Sequence, residues 1–223
     1  MKNITQKTQK ADSELKVRQR LLDSAEHFFA AQGFDGTSIR DITNRAGCNV
    51  AAVNYYFSGK ENLYVEVFAR NMDMLRDVRV DGINQLMKTG GQAVTLEQLL
   101  TVFAELFIQP MADRDAGSRL MKLWMREIID RRLPGRMFME QTVKPIFSVL
   151  TEAMLKVCPG LDAADAVLCI QSVVAQLKQV ICAREMFPDT DGSEIGLDDM
   201  TEIVKHIVTF SAAGIRHYAK QRE

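Results

Sequence analysis

The chain has 223 residues, 47% of them hydrophobic and 26% charged, with a formal net charge of −1. That balance belongs to a globular protein with a substantial core in one large or two small domains, and excludes both a disordered chain and a whole-molecule polycation. Nucleic-acid binding must therefore rest on a local basic patch.

The first residues carry Lys2, Lys7, Lys10, Lys16, Arg18 and Arg20 against Asp12 and Glu14. Residues 1–12 are expected to be a flexible basic arm; they lack the apolar core of a secretory signal. A first helix is predicted from about Ser13 to Gln32, with Leu15, Leu22, Ala25, Phe28 and Phe29 on one stripe and Gly33 as its stop. Thr37 or Ser38 can cap the next, short helix, whose Ile39, Ile42 and Ala46 recur on one face. Gly47 ends it, because glycine alone takes a left-handed turn without a Cβ clash. Asn49 is a suitable cap for a helix from Val50 to Phe57 that points Val53 and Phe57 inward and Val50, Ala51, Asn54 and Tyr55 outward. Ser58-Gly59-Lys60-Glu61 fits a capping box for a third helix reaching about Arg76 to Val80, with Gly82 a weak point and Gly90-Gly91 a break.

Further on, Thr95 and Gln98 offer a second capping box for a helix to about Pro110. Ala112 to Ser118 reads as a loop before an apolar helix through Leu120, Leu123, Trp124 and Ile128, closed off by Leu133-Pro134-Gly135. Pro145 within the pattern Met137 to Val157 predicts a kink or a restart near Val143. Pro159-Gly160 ends that helix, Asp162 caps one to about Met186, and after the acidic loop Pro188 to Gly196 a last helix starts at Leu197 or Asp198. Strand signals are almost absent, so the fold class is all-α. No apolar run approaches the roughly 18 residues needed to cross a bilayer, and a cytoplasmic protein without membrane contact is expected.

Two short helices about a glycine turn, followed by a capped third helix, make a helix-turn-helix with an exposed second helix. The segment resembles the DNA-binding domain of the tetracycline-repressor (TetR) superfamily of bacterial transcriptional regulators. The resemblance rests on Phe28-Phe29-Ala30-Ala31-Gln32-Gly33-Phe34, Thr37-Ser38-Ile39-Arg40-Asp41-Ile42, Arg45-Ala46-Gly47, Tyr55-Tyr56-Phe57 and Lys60-Glu61 with Leu63, over roughly the first third of the chain. Asn54-Tyr55-Tyr56-Phe57 and Val143-Lys144-Pro145-Ile146 also resemble its CerR-like branch. The resemblance implies a DNA-binding domain at 13–62 and a helical ligand-binding and dimerisation domain at 63–223.

In the major groove, Asn54 is suited to adenine, while Val50, Ala51 and Ala52 can meet thymine methyls. The family often has Tyr where Asn54 stands, which makes the Asn a departure. Tyr55 and Lys60 are assigned phosphate contacts by the resemblance; Arg40, Asn49, Thr37 and Ser38 complete the candidate DNA set. Tyr56 is expected in the core. A single head reads few bases, so a homodimer on near-palindromic double-stranded DNA is expected, through Val167, Ile170, Val174, Leu177 and Ile181 on one helix and Ile203, Ile207, Phe210 and Ile215 on another. Phe103, Phe107, Met121, Trp124, Met125 and Phe147 are candidate walls for a small apolar or amphipathic effector, with Met137 and Phe138 nearby and Arg126, Glu127 and Arg131 as polar handles. Neither a metal site nor a cofactor is indicated: His27, His206 and His217 form no ligand pattern, and Cys48, Cys158, Cys169 and Cys182 have no C-x-x-C spacing. The expected function is a ligand-released repressor, with activation left open. The alternatives are an all-helical enzyme, and a DNA-binding regulator governed by a protein partner or by oxidation of Cys48.

Overall fold

The computed structural model describes residues 2–111, 114–186 and 199–220. Among them there are nine α-helices and no strand. The acidic loop expected at Pro188 to Gly196, and the start of the last helix at Leu197 or Asp198, lie outside the described residues. The chain divides into two compact units, Met1–Asn71 with Ser118–Gly135, and Met72–Gly117 with Arg136–Glu223.

Helix α1 (Lys2–Gly36) begins ahead of Ser13: the backbone of the expected arm is helical, as a stretch without Gly or Pro permits. The helix breaks at Gly33, whose φ of 74° and ψ of 178° are not helical. Ser38, not Thr37, caps α2 (Ile39–Ala46), accepting from the Asp41 N–H, and Gly47 closes it in the left-handed conformation. Helix α3 is Ala51–Phe57. At its end the capping box expected from Ser58 does not form. Ser58 is itself left-handed and closes α3, its N–H bonded to the Asn54 carbonyl, while the Gly59 carbonyl accepts the first bond of α4 (Lys60–Gly90). A residue held left-handed to close one helix lacks the extended backbone that an N-cap of the next requires.

Helix α4 runs on through Gly82. A Cβ there would lie 2.3 Å from Leu106 Cδ1, so the glycine marks a close helix approach instead of a break. The capping box of Thr95 and Gln98 forms at the start of α5 (Leu96–Ile108). Helix α6 (Arg114–Asp130) takes in part of the expected loop. A π-turn at Met139–Val143 leads into α7 (Lys144–Val157) with Pro145 in its first turn, where no N–H is missed, so the restart near Val143 is the outcome. Asp162 accepts from the Asp165 N–H ahead of α8 (Ala163–Met186), and Asp199 accepts from the Thr201 N–H ahead of α9 (Met200–Lys220).

In the first unit, Phe29, Phe34, Tyr64 and Phe68 form a chain of ring contacts between 4.9 and 6.0 Å, closed by Leu21, Ile42, Val53, Leu63 and Leu123. Arg126 of α6 donates to the Ala30 and Ala31 carbonyls left open where α1 breaks. The second unit has its own core, made by α5, α7, α8, α9 and Ile83 of α4. Ala163–Arg184 is long and apolar enough to span a bilayer, contrary to expectation, but its Ala166, Ile170, Val173 and Leu177 are in that core.

The expected dimer set is redistributed. Ile170, Leu177, Ile207 and Ile215 are core residues of the single chain, Ile181 is buried, and Val167, Val174 and Ile203 are half-buried. Of the set only Phe210 stands out, 66% exposed. Because α8 and α9 pack against each other and against α7 and α5, most of their large aliphatic side chains turn inward. The outward face instead presents Leu168, Ala175, Phe210, Gly214 and Tyr218.

Candidate nucleic-acid interface

The turn between α2 and α3 is built from the backbone up. Gly47 and Cys48 donate to the Asn44 and Thr43 carbonyls, filling acceptors that the end of α2 leaves open. The Arg20 guanidinium donates to the Ala46 carbonyl at 2.9 Å. Asn49 then accepts from the Ala51 N–H through its side chain at 2.5 Å, so the expected cap is in place at the start of α3.

On α3, Val53 and Phe57 are buried and hold the helix to the unit. Val50, Ala51, Asn54 and Tyr55 are exposed, Ala52 is half-buried, and Tyr55 is 73% exposed. Asn49 and Arg40 are exposed as well. Tyr56 is half-buried between Tyr55 and Phe57, with burial raising its pKa. The outward row is short and polar at Asn54, apolar at Ala51, and ends in a phenol: side chains of this size let a helix approach base edges closely.

Three further members of the expected set have partners within the protein. Thr37 is buried, and its hydroxyl donates to the Gly33 carbonyl at 2.6 Å, which fixes the corner after α1 and takes it out of a DNA-facing role. Ser38 is exposed, with its hydroxyl shared between the Asp41 N–H and carboxylate. Lys60 is half-buried, its ammonium 4.3 Å above the Phe34 ring, and burial lowers its pKa against the pull of Asp35 and Glu61. Arg132 lies over the same ring and pairs with Asp35. Sequence reasoning read Arg20 as part of a basic arm and Arg126 as an effector handle, and missed that both donate to backbone carbonyls, a role that leaves no local motif.

The candidate effector residues fall into different units. Phe103, Phe107 and Phe147 belong to the second, where Phe103 is fully buried and touches Phe107. Met121, Trp124 and Met125 belong to the first: Trp124 meets Phe68 edge-on at 5.2 Å and Met125 is exposed. The polar handles also serve the first unit, Arg126 on α1 and Glu127 beneath Tyr64. All four cysteines are free; burial raises the thiol pKa of Cys48, Cys158 and Cys169, which disfavours the reactive thiolate. Among the described residues no group of His, Cys, Asp and Glu could hold a metal ion.

A helix-turn-helix with an exposed second helix, in a chain whose remainder folds as a separate helical unit, defines a DNA-binding transcriptional regulator of the two-domain kind. Residues 21–67 match the family described as bacterial regulatory proteins of the tetR family, and residues 101–214 match the tetracyclin repressor-like C-terminal domain. The chain belongs to the TetR family. The HTH-type transcriptional dual regulator CecR of Shigella flexneri is 23% identical over 86% of this chain and 88% of its own. The regulator YttP of Bacillus subtilis is 25% identical over 52% of either chain, so this chain spans about half the length of that relative. A TetR-family regulator from Mesorhizobium loti has the same fold, with a TM-score of 0.67 at 19% identity over 91% of this chain and 96% of its own. A transcriptional regulator from Pseudomonas aeruginosa PAO1 has a TM-score of 0.65 at 18% identity, covering 92% and 93%. The family and these relatives are regulators of transcription, which sets the enzyme reading aside.

Proposed function

We propose that the protein is a homodimeric repressor of transcription that holds a near-palindromic operator until a small effector releases it. The observation that carries the DNA-binding part is the outward row of α3, Ala51, Asn54 and Tyr55, on a helix whose start is capped by Asn49 and whose inner residues are buried. Asn54 is assigned to base readout, Ala51 and Val50 to thymine methyls, and Tyr55 with Arg40 and Ser38 to phosphates. Lys60, held over Phe34, contributes charge. The dimer face is assigned to the exposed residues of α8 and α9. Effector binding belongs to the second unit, with release achieved because the effector prefers a conformer that fits DNA poorly. Such a protein works inside the cell, where the chromosome is. Oxidation of Cys48 is not favoured, since its thiol is held protonated by burial.

Selection of binding sites from random duplex DNA tests this reading. The wild type should enrich a near-palindrome with half-sites roughly 34–36 Å apart. Asn54→Ala should relax the enriched sequence at one position of each half-site. Absence of any enriched sequence would remove the operator, and an unchanged site with the variant would remove Asn54 from base readout.

A further inference from the structure

Along the inward face of α4, Met72, Leu75, Arg79 and Ile83 recur at helical spacing, and all four are buried. Three are apolar, as a core stripe demands. Arg79 is a guanidinium only 6% exposed, in the position where a leucine would be expected. A guanidinium has five N–H donors and remains charged at any physiological pH. Among the described residues no carboxylate pairs with it. Its one hydrogen bond is a long one, 3.3 Å to the Phe107 carbonyl in the last turn of α5, and its Nε has no partner. The face of the Phe107 ring lies 4.3 Å from the guanidinium carbon. Burial alone pulls its pKa down to about 10, and no neighbouring charge pulls it back. The carbonyl at a helix C-terminus and the ring face are partial compensation, because both present negative potential. Neither satisfies the buried Nε–H, and a buried cation is ordinarily matched by an anion.

We infer that Arg79 is the anion anchor of the effector site in the second unit, and that the effector is an amphipathic organic anion with a carboxylate or phosphate head on an apolar body. The apolar part follows from the surroundings: the Phe107 ring faces the guanidinium, and Leu75 and Ile83, one turn away on either side along α4, are buried. The inference rests on the effector reading given above and supplies its missing chemistry. A planar oxyanion accepts two parallel N–H bonds from a guanidinium, so it would satisfy the Nε–H that the protein leaves unmet. It would also act directly on α4, the helix that begins two residues after the Ser58 cap of α3.

Octanoate, octyl phosphate and 1-octanol share one tail and differ in the head. Calorimetric titration and melting of the full-length protein with each, for wild type and Arg79→Met, test the inference. The wild type should bind at least one anion about tenfold or more tighter than 1-octanol, the factor expected of a charge-assisted hydrogen bond. The tighter of the two anions names the head group. Without ligand, Arg79→Met should melt at or above the wild-type temperature, since it removes an unpaired buried charge, and it should lose the preference for anions. Equal binding of octanol and both anions, no binding of either anion, or a preference retained by Arg79→Met would overturn the anchor. A variant that melts well below wild type would reassign Arg79 to capping α5; should it fail to fold, the anion-to-alcohol ratio of the wild type still decides. Operator selection on the same wild-type preparation is independent of these results, so losing the anion leaves the regulator standing. A response to octanol alone would keep the effector and discard its charge.

Discussion

Glu127 is 8% exposed and splits its carboxylate between two donors, the Tyr64 hydroxyl at 2.9 Å and the Leu133 N–H at 2.8 Å. Burial, and then this hydrogen bond, push the Tyr64 pKa far above its ordinary value, so the phenol stays a donor at every working pH. Tyr64→Phe leaves one carboxylate oxygen buried and unmet, and should lower stability by about 1–3 kcal/mol in urea denaturation. Tyr64→Phe with Glu127→Leu should recover part of that loss, because the pair then has no charge to strand. His27 sets a pH dependence of the opposite origin. Burial, then the charges of Arg45 and Arg119, lower its pKa below 6.5, so between that lowered value and 6.5 the unfolded chain binds more protons than the native one. The contribution is complete above pH 6.5 and is lost as the pH falls through the native value. Melting curves at pH 7.5 and 5.5 should show a smaller acid loss for His27→Gln than for wild type; an equal loss would place the sensitivity elsewhere.

At the scale of elements, the corner at Gly33 determines where Phe34 and Thr37 sit, and its backbone conformation is one that only glycine adopts freely. A Cβ there would also come within 3.1 Å of the Arg126 guanidinium. Gly33→Ala should therefore cost about 1–3 kcal/mol, the usual penalty for such strain, seen as an earlier unfolding midpoint. A midpoint unchanged from wild type would mean that α1 can run on without this corner. Ser38, Asn49, Thr95 and Asp162 were legible in the sequence as caps because a cap bonds within a few residues of itself. Ser58 and Gly82 were misread for the complementary reason. Ser58 had two helix ends to serve, and Gly82 answers to Leu106 on another helix, a neighbour that no local pattern announces. The outward row of α3 was legible because Val53 and Phe57 fix its inner face by spacing alone. Thr37 was not, since its hydroxyl is taken by a carbonyl freed by a break four residues upstream.

For the whole molecule, the open question of packing is which apolar side chains remain for a partner. Helices α8 and α9 are apolar on more than one face, so periodicity alone could not separate core from surface; the packing of α5 and α7 against them does. On α8 and α9, Leu168 at 56% exposed, Phe210 and Tyr218 are the large apolar side chains left uncovered among the described residues, and Ala175 and Gly214 on the same helices would let another helix come close. A partner laying the same face on this one would bury the set reciprocally, as two-fold symmetry requires. Phe210→Glu places a carboxylate in that face without disturbing the inner core, whereas a change at Ile207 would unfold the chain and report nothing about pairing. Light scattering after size exclusion should give a dimer for wild type and for Asn54→Ala, and a monomer for Phe210→Glu. Operator affinity should fall in the monomer, and the slope of its salt dependence should drop to about half, because one head neutralises half the phosphates of two. A variant that stays dimeric and keeps the full slope would move the dimer face off α9, while a monomer with the full slope would mean that one head already makes every phosphate contact and that the near-palindrome is unnecessary.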